Sequence, residues 1–393
     1  MKSYANNRID MSAFLCACIL YVLIPPYFFW HGDVASIYVK CVLGGILAVC
    51  FFVNKISMGA KDILLFLLLL ASLVVFTLTG GYNVNLFISL LPCVFLPFGR
   101  NEYMKKVYNS FLNIYVIIIA ISLISWFLML LGLMPSFGTI GPLNTAKTHD
   151  YIVYPLLVAA SDHHTIRFFG PFDEPGVVGT LSGILLCIEK INLKNRKSVV
   201  LLLSGLCALS FFFFLLIGIY FLLDYSMRQK KASNAVRMLV VVIGIFLVIN
   251  QIPVLYENIG ARFEWDSSKG QFAGDDRINK DIVEEYIERN VGTSEFWWGV
   301  DDKEGFWEDI YGASSFLILV ILNGLVFSIM YIVFYVLYGL RYKENWWSYI
   351  LFLFVVIGTL YQRPEVFTSL FVFLFTFLIR SENLIKIYKN NGS

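Results

Sequence analysis

The chain is poor in charge. Only 15% of its 393 residues are Asp, Glu, Lys or Arg, against 58% apolar and 17% aromatic residues. Soluble domains carry roughly a quarter charged residues, so this composition excludes a water-soluble globular protein. The formal net charge of +2 creates no large field of one sign, and no nucleic-acid partner is expected. The seven cysteines, Cys16, Cys18, Cys41, Cys50, Cys93, Cys187 and Cys207, all fall within or at the ends of apolar runs. They give neither a disulfide framework nor a metal-ligand spacing, and no metal or cofactor is expected. Lys2 and Arg8 precede the first apolar run, which reaches Pro25-Pro26 with no small-residue cleavage site and so reads as an uncleaved anchor. Internal repeats, low-complexity tracts and inverted pairs of broken helices are missing, and the last absence weakens a transporter or lipid-flippase reading.

Long hydrophobic runs fill the rest. Crossing ~30 Å of hydrocarbon takes about 20 residues, and candidate spans cover 12–30, 34–53, 62–79, 84–98, 107–133, 176–190, 198–224, 236–252, 312–338, 346–361 and 364–380. The run 198–224 is flanked by Lys190, Lys194, Arg196 and Lys197 on one side and by Arg228, Lys230, Lys231 and Arg237 on the other. Cytoplasmic loops collect Lys and Arg, so this run is expected to go out and return, bending near Ser210 as two short helices. The expected fold is therefore all-α, a single polytopic membrane domain over residues 1–393, with about 12 transmembrane helices and both termini inside.

Two outside segments are too long to be simple connections. The first, 135–176, contains ten apolar residues at 151–160, too few to span and expected to be re-entrant or interfacial. The second, 253–311, carries 15 acids against six bases, and residues 278–289 alternate apolar and acidic positions as an amphipathic helix would.

The first loop ends in Arg167-Phe-Phe-Gly-Pro-Phe-Asp-Glu-Pro-Gly176, a polar, turn-rich stretch between apolar runs. Ionisable groups beside hydrocarbon are expensive, and where they persist they line cavities or handle charged substrates. Proline suits the first helical position, so Glu174 sits at the start of the following helix, whose exposed amides attract either this carboxylate or a phosphate. Arg167, seven residues earlier, reads as a phosphate ligand or as half of a structural ion pair with Glu174. In the second loop Arg262, Asp276 and Arg277 are candidate substrate ligands, because the guanidinium fork matches phosphate oxygens. Arg363, in the outer turn before the last span, lies on the same side. Trp298 stands in an aromatic cluster suited to stacking on sugars or to anchoring at the interface. His163 is a lesser candidate base.

The many spans, the two large outer loops and the pattern of Arg167, Gly170, Phe172, Glu174 and Pro175 opening a helix resemble the Wzy-type O-antigen and capsule polymerases, relatives of the O-antigen ligases. Residues 311–316, Tyr-Gly-Ala-Ser-Ser-Phe, followed by Asn323-Gly324, also resemble that family's return to the membrane. The resemblance implies a GT-C-like membrane glycosyltransferase of the bacterial inner membrane, with its site facing the periplasm. It would join undecaprenyl-pyrophosphate-linked glycans without a metal, beside a flippase and a chain-length-determining co-polymerase. Arg167, Arg262 and Arg277 would then stabilise the departing diphosphate, and Glu174 would be the base. The absence of histidine from the second loop favours polymerase over ligase.

Overall fold

A computed structural model of the chain describes residues 10–30, 36–54, 56, 58–79, 84–142, 150–161, 167–229, 251–253, 256, 260–267, 271–272, 280–300, 316–362 and 367–390. Helix α1, Met11–Val22, starts where the Asp10 carboxylate accepts from the amide of Ala13. It ends before Pro25-Pro26, and a short 3-10 turn, Tyr27–Phe29, completes the segment expected as one span over 12–30. Helix α2, Ile37–Val53, is capped by Ser36 in the same way. Then come α3, Ala60–Thr79; the broken pair α4, Val84–Leu90, and α5, Pro92–Phe95; and α6, Asn101–Leu130.

Three strands follow: β1, Thr139–Ile140; β2, Tyr151–Tyr154; and β3, Leu157–Ala160. After them come α7, Pro175–Glu189; α8, Arg196–Cys207; and α9, Phe211–Gln229. The second loop contributes a two-stranded ribbon of β4, Trp265–Asp266, and β5, Gln271–Phe272, then α10, Lys280–Asn290, and α11, Ser294–Trp298. The chain closes with α12, Phe316–Tyr342; α13, Trp346–Gln362; and α14, Ser369–Asn390.

Ala60–Thr79, Asn101–Leu130 and Val320–Tyr342 are long and apolar enough to cross a membrane, and shorter apolar helices surround them. The protein is mostly helical and membrane-embedded. The candidate span 236–252 lies almost wholly outside the described residues.

One departure from an all-α fold concerns the ten apolar residues 151–160. They form a β-hairpin, with Tyr151 opposite Ala160 and Tyr154 opposite Leu157, and β1 adds along β2. A segment too short to span has to pair its own amides and carbonyls near hydrocarbon, and two strands joined at Pro155-Leu156 do so. The turn is fastened to α6 by a hydrogen bond from the Ser122 hydroxyl to the Leu156 carbonyl.

Helices α7 and α14 form the middle of the bundle. Residues 369–381 of α14 are buried in unbroken sequence, as are residues 177–188 of α7, and a helix apolar on every face belongs in an interior.

The run 198–224 does reverse at Ser210. Ser204 of α8 bonds Ser182 of α7 at 2.9 Å, whereas Ser210 approaches Gly179 and Phe213 of α9 approaches Gly183. Helix α8 therefore runs antiparallel to α7, and α9 turns back alongside both. The reversal is closed by Leu209 in the left-handed region, φ 47°. It is tight because small residues let backbones approach: a Cβ on Gly179 would run into Ser210, and one on Gly205 into the Phe213 ring.

Overpacking of this kind costs about 1–3 kcal/mol, so Gly205→Val should melt below wild type in detergent. Adding Phe213→Ala should recover part of the loss. Equal melting of Gly205→Val and wild type would mean that α8 and α9 do not meet there.

Candidate functional site

Residues 167–176 connect the β-hairpin to α7 along a path with no regular structure of its own, and nearly every turn of that path is tied to a different element. The Phe168 amide donates to the Cys207 carbonyl at 2.9 Å. Arg167 donates from Nε to the Ala208 carbonyl at 3.3 Å and from Nη2 to the Leu209 carbonyl at 3.5 Å. These carbonyls end α8, where helical partners run out and positive charge is favoured by the helix dipole. Arg167 is thus half-buried and engaged with the α8–α9 bend.

Gly170, φ 59°, then turns the chain, and its carbonyl accepts from the Val158 amide of β3 at 2.9 Å. The Pro171 carbonyl accepts from the Tyr27 amide at 2.8 Å. Phe172 is buried edge-on against Tyr21 of α1, with ring centroids 6.2 Å apart. The Asp173 carbonyl accepts from the Tyr151 hydroxyl at 2.8 Å.

Glu174 is the N-cap residue of α7, extended at φ −145° and ψ 138°, with Pro175 as the first helical residue, as the Glu-Pro pair predicts. Its carboxylate makes no cap hydrogen bond to the amides of its own helix, although its carbonyl accepts from the Val177 amide at 3.1 Å. The half-buried side chains of Arg167 and Glu174 thus stand at one end of the bundle, the end defined by the start of α7 and the α8–α9 bend.

Other candidates fall elsewhere or outside the description. Trp298 is 52% exposed at the end of α11, and Trp297 is 46% exposed beside it. Helix α11 packs on α12, whereas 167–176 packs on the α8–α9 bend, β3 and the N-terminal turn. The docking of α11 is backbone against backbone. Gly299, φ 91°, and Gly324, φ 81°, face each other so closely that a Cβ on the first would strike the Leu322 carbonyl and one on the second the Trp297 carbonyl. Gly324 breaks α12, and the Val300 amide takes up the Ile321 carbonyl at 3.2 Å.

Helix α10, the amphipathic helix expected at 278–289, buries Tyr286 against Ile321 and donates its hydroxyl to the Glu295 carbonyl at 3.2 Å. Burial pushes that hydroxyl up to about 12, so it remains a donor at neutral pH. Arg262 lies in a short 3-10 helix, Gly260–Phe263. His163, Asp276, Arg277 and Arg363 lie outside the described residues.

The residues that sequence reasoning passed over are Tyr27, Trp30 and Tyr151, which hold the 167–176 path from behind. The sequence contains little to reveal them: Tyr151 only opens an apolar stretch, and Tyr27 and Trp30 read as interfacial aromatics at the end of a span. Comparison with protein-family models, with curated proteins and with solved structures gave no match.

Alanine at position 324 would be strained by its positive φ and would collide with the Trp297 carbonyl. Gly324→Ala should therefore release α10 and α11 and speed tryptic cleavage after Arg289 several-fold in the detergent-solubilised protein. Wild-type cleavage kinetics would show that the glycine contact does not hold the loop.

Proposed function

We propose that this chain is a membrane glycosyltransferase of the Wzy type, polymerising undecaprenyl-pyrophosphate-linked oligosaccharide repeats into O-antigen or capsule at the periplasmic face of a bacterial inner membrane. The observation that carries the reading is the position of Arg167 and Glu174. These two, among the motif residues that carry the family resemblance, share the end of the bundle where α7 begins and the α8–α9 hairpin turns. That end combines an irregular, well-anchored backbone with a guanidinium, a carboxylate and a helix N-terminus, a set that suits an anionic lipid-linked substrate. Supporting it is the observed reversal at Ser210, which the sequence required if the basic clusters at 190–197 and 228–237 both face the cytoplasm in a chain of about 12 crossings.

In the proposed reaction the Glu174 carboxylate accepts the proton of a sugar hydroxyl on the acceptor repeat. The hydroxyl oxygen attacks the anomeric carbon of the growing chain. The bond from that carbon to the pyrophosphate oxygen breaks, and undecaprenyl pyrophosphate departs. A carboxylate within hydrogen-bond reach of the acceptor hydroxyl can serve as the general base. Stabilising charge on the departing diphosphate is the largest task in a site without a metal, and it falls to Arg167 with Arg262 and Arg277. Asp276, His163 and Arg363 are auxiliary ligands in this scheme, and Trp298 stacks on sugar. A flippase supplies the lipid-linked repeats, and a co-polymerase sets chain length.

Two experiments test this reading. Glu174→Gln should insert and fold normally yet abolish polymer while single lipid-linked repeats accumulate, and a wild-type ladder from that variant removes Glu174 from the chemistry. Cysteine at Ser267, in the second loop, should be labelled from the periplasm, and cysteine at the 67% exposed Leu193, in the turn between α7 and α8, only from the cytoplasm. Labelling of both from one side defeats the topology and the enzyme with it.

A further inference from the structure

We propose that Tyr151 is the positioning residue for Glu174, acting through the peptide unit that joins Asp173 to Glu174; the assignment rests on the reading of Glu174 as the base. Tyr151 is fully buried at the start of β2, and its hydroxyl donates to the Asp173 carbonyl at 2.8 Å. A peptide unit is planar, so a hydrogen bond on the Asp173 oxygen fixes the plane that has the Cα of Glu174 as its far corner. On the other side of that Cα, Pro175 has a ring-locked φ and confines the residue before it to extended backbone, as observed. Glu174 is therefore held from both directions through its main chain. The Cα from which the Glu174 side chain projects is thus fixed by the peptide planes on both sides of it.

The tyrosine is itself immobilised. Its ring lies edge-on to Trp30, centroids 5.1 Å apart at 71°, and to Phe169, 6.3 Å apart at 70°. Trp30 is 4% exposed and donates its indole N–H to the Pro25 carbonyl at 3.1 Å. Tyr27 closes the arrangement, its amide on the Pro171 carbonyl at 2.8 Å and its hydroxyl on the Tyr154 carbonyl at 3.2 Å. The N-terminal turn and the β-hairpin thus form one support beneath the loop, and the Tyr151 hydroxyl is where that support meets the residue before Glu174.

Tyr151→Phe keeps both ring contacts and deletes the donor. With lipid-linked repeats extracted from cells lacking this protein as substrate, the purified full chain carrying Tyr151→Phe should elongate with kcat lower by about tenfold, since small displacements of a reacting group are costly. KM should stay within about twofold, because uniform binding is untouched. Combined with Glu174→Asp, it should lose less than the product of the two single losses, because both changes displace one carboxylate. Hydrogen exchange of the amides at 172–177 should quicken. A wild-type kcat, equal changes in kcat and KM, or fully multiplicative losses would overturn the assignment. Full activity of Glu174→Gln defeats the base instead, and the exchange at 172–177 then decides the positioning by itself, an unchanged rate overturning it.

Discussion

Irregular backbone at the edge of hydrocarbon must find its hydrogen bonds inside the protein, because water is not there to supply them. The ten residues from Arg167 to Gly176 meet that constraint by borrowing partners from several distant elements. The end of α8 takes the Phe168 amide and the Arg167 guanidinium, β3 takes the Gly170 carbonyl, the N-terminal turn takes that of Pro171, and Tyr151 takes that of Asp173. Each bond is worth only ~1 kcal/mol net, but an unsatisfied buried carbonyl or amide costs about 1–3 kcal/mol. The path of this loop is consequently fixed at several points along its length. The main chain at Glu174 is held by this path, which suits the general base proposed there.

The same constraint gives Arg167 two readings that coexist. Its Nε and Nη2 groups close the C-terminal end of α8, a structural task that a guanidinium performs well because its planar fork reaches two successive carbonyls. A charge fixed in this way is also a stationary cation near the start of α7. In the proposed reaction such a charge would stabilise the departing diphosphate without having to reorganise. The bulk of the bundle serves this geometry. Helix α7 lies in the interior, and the hydroxyls of Tyr115, Ser182 and Ser204 link α6, α7 and α8 at 3.2 and 2.9 Å. The end of α7 that carries Glu174 is thereby built on a rigid element.

The second loop solves its own packing problem differently. Helices α10 and α11 are anchored on the break of α12 by two glycines, each set against the backbone that precedes the other, with Tyr286 buried against Ile321. A broken helix normally leaves carbonyls without partners, and here the Val300 amide supplies one of them. Among the described residues of the loop, Trp265, Trp297 and Trp298 are exposed.

Much of this was legible in the chain itself. Hydropathy located the apolar helices among the described residues, with bounds that miss by up to about ten residues at α1 and α14, and the basic clusters on both sides of 198–224 gave the expectation of the reversal that Leu209 and Ser210 make. The amphipathic period of 278–289 and the Glu174-Pro175 helix start were equally readable. These are local properties, set by side chains within a turn or two of one another or by the solvent each segment meets. The β-hairpin at 151–160 was not legible, because a uniformly apolar stretch shows no period and its pairing depends on having no room to span. Nor were the bonds from Tyr151 to Asp173, from Tyr27 to Pro171 and from Arg167 to the α8 end, or the meeting of Gly299 with Gly324. Each joins residues from about twenty to well over a hundred positions apart, and only the packed bundle decides which orphaned carbonyl lies within reach of which donor.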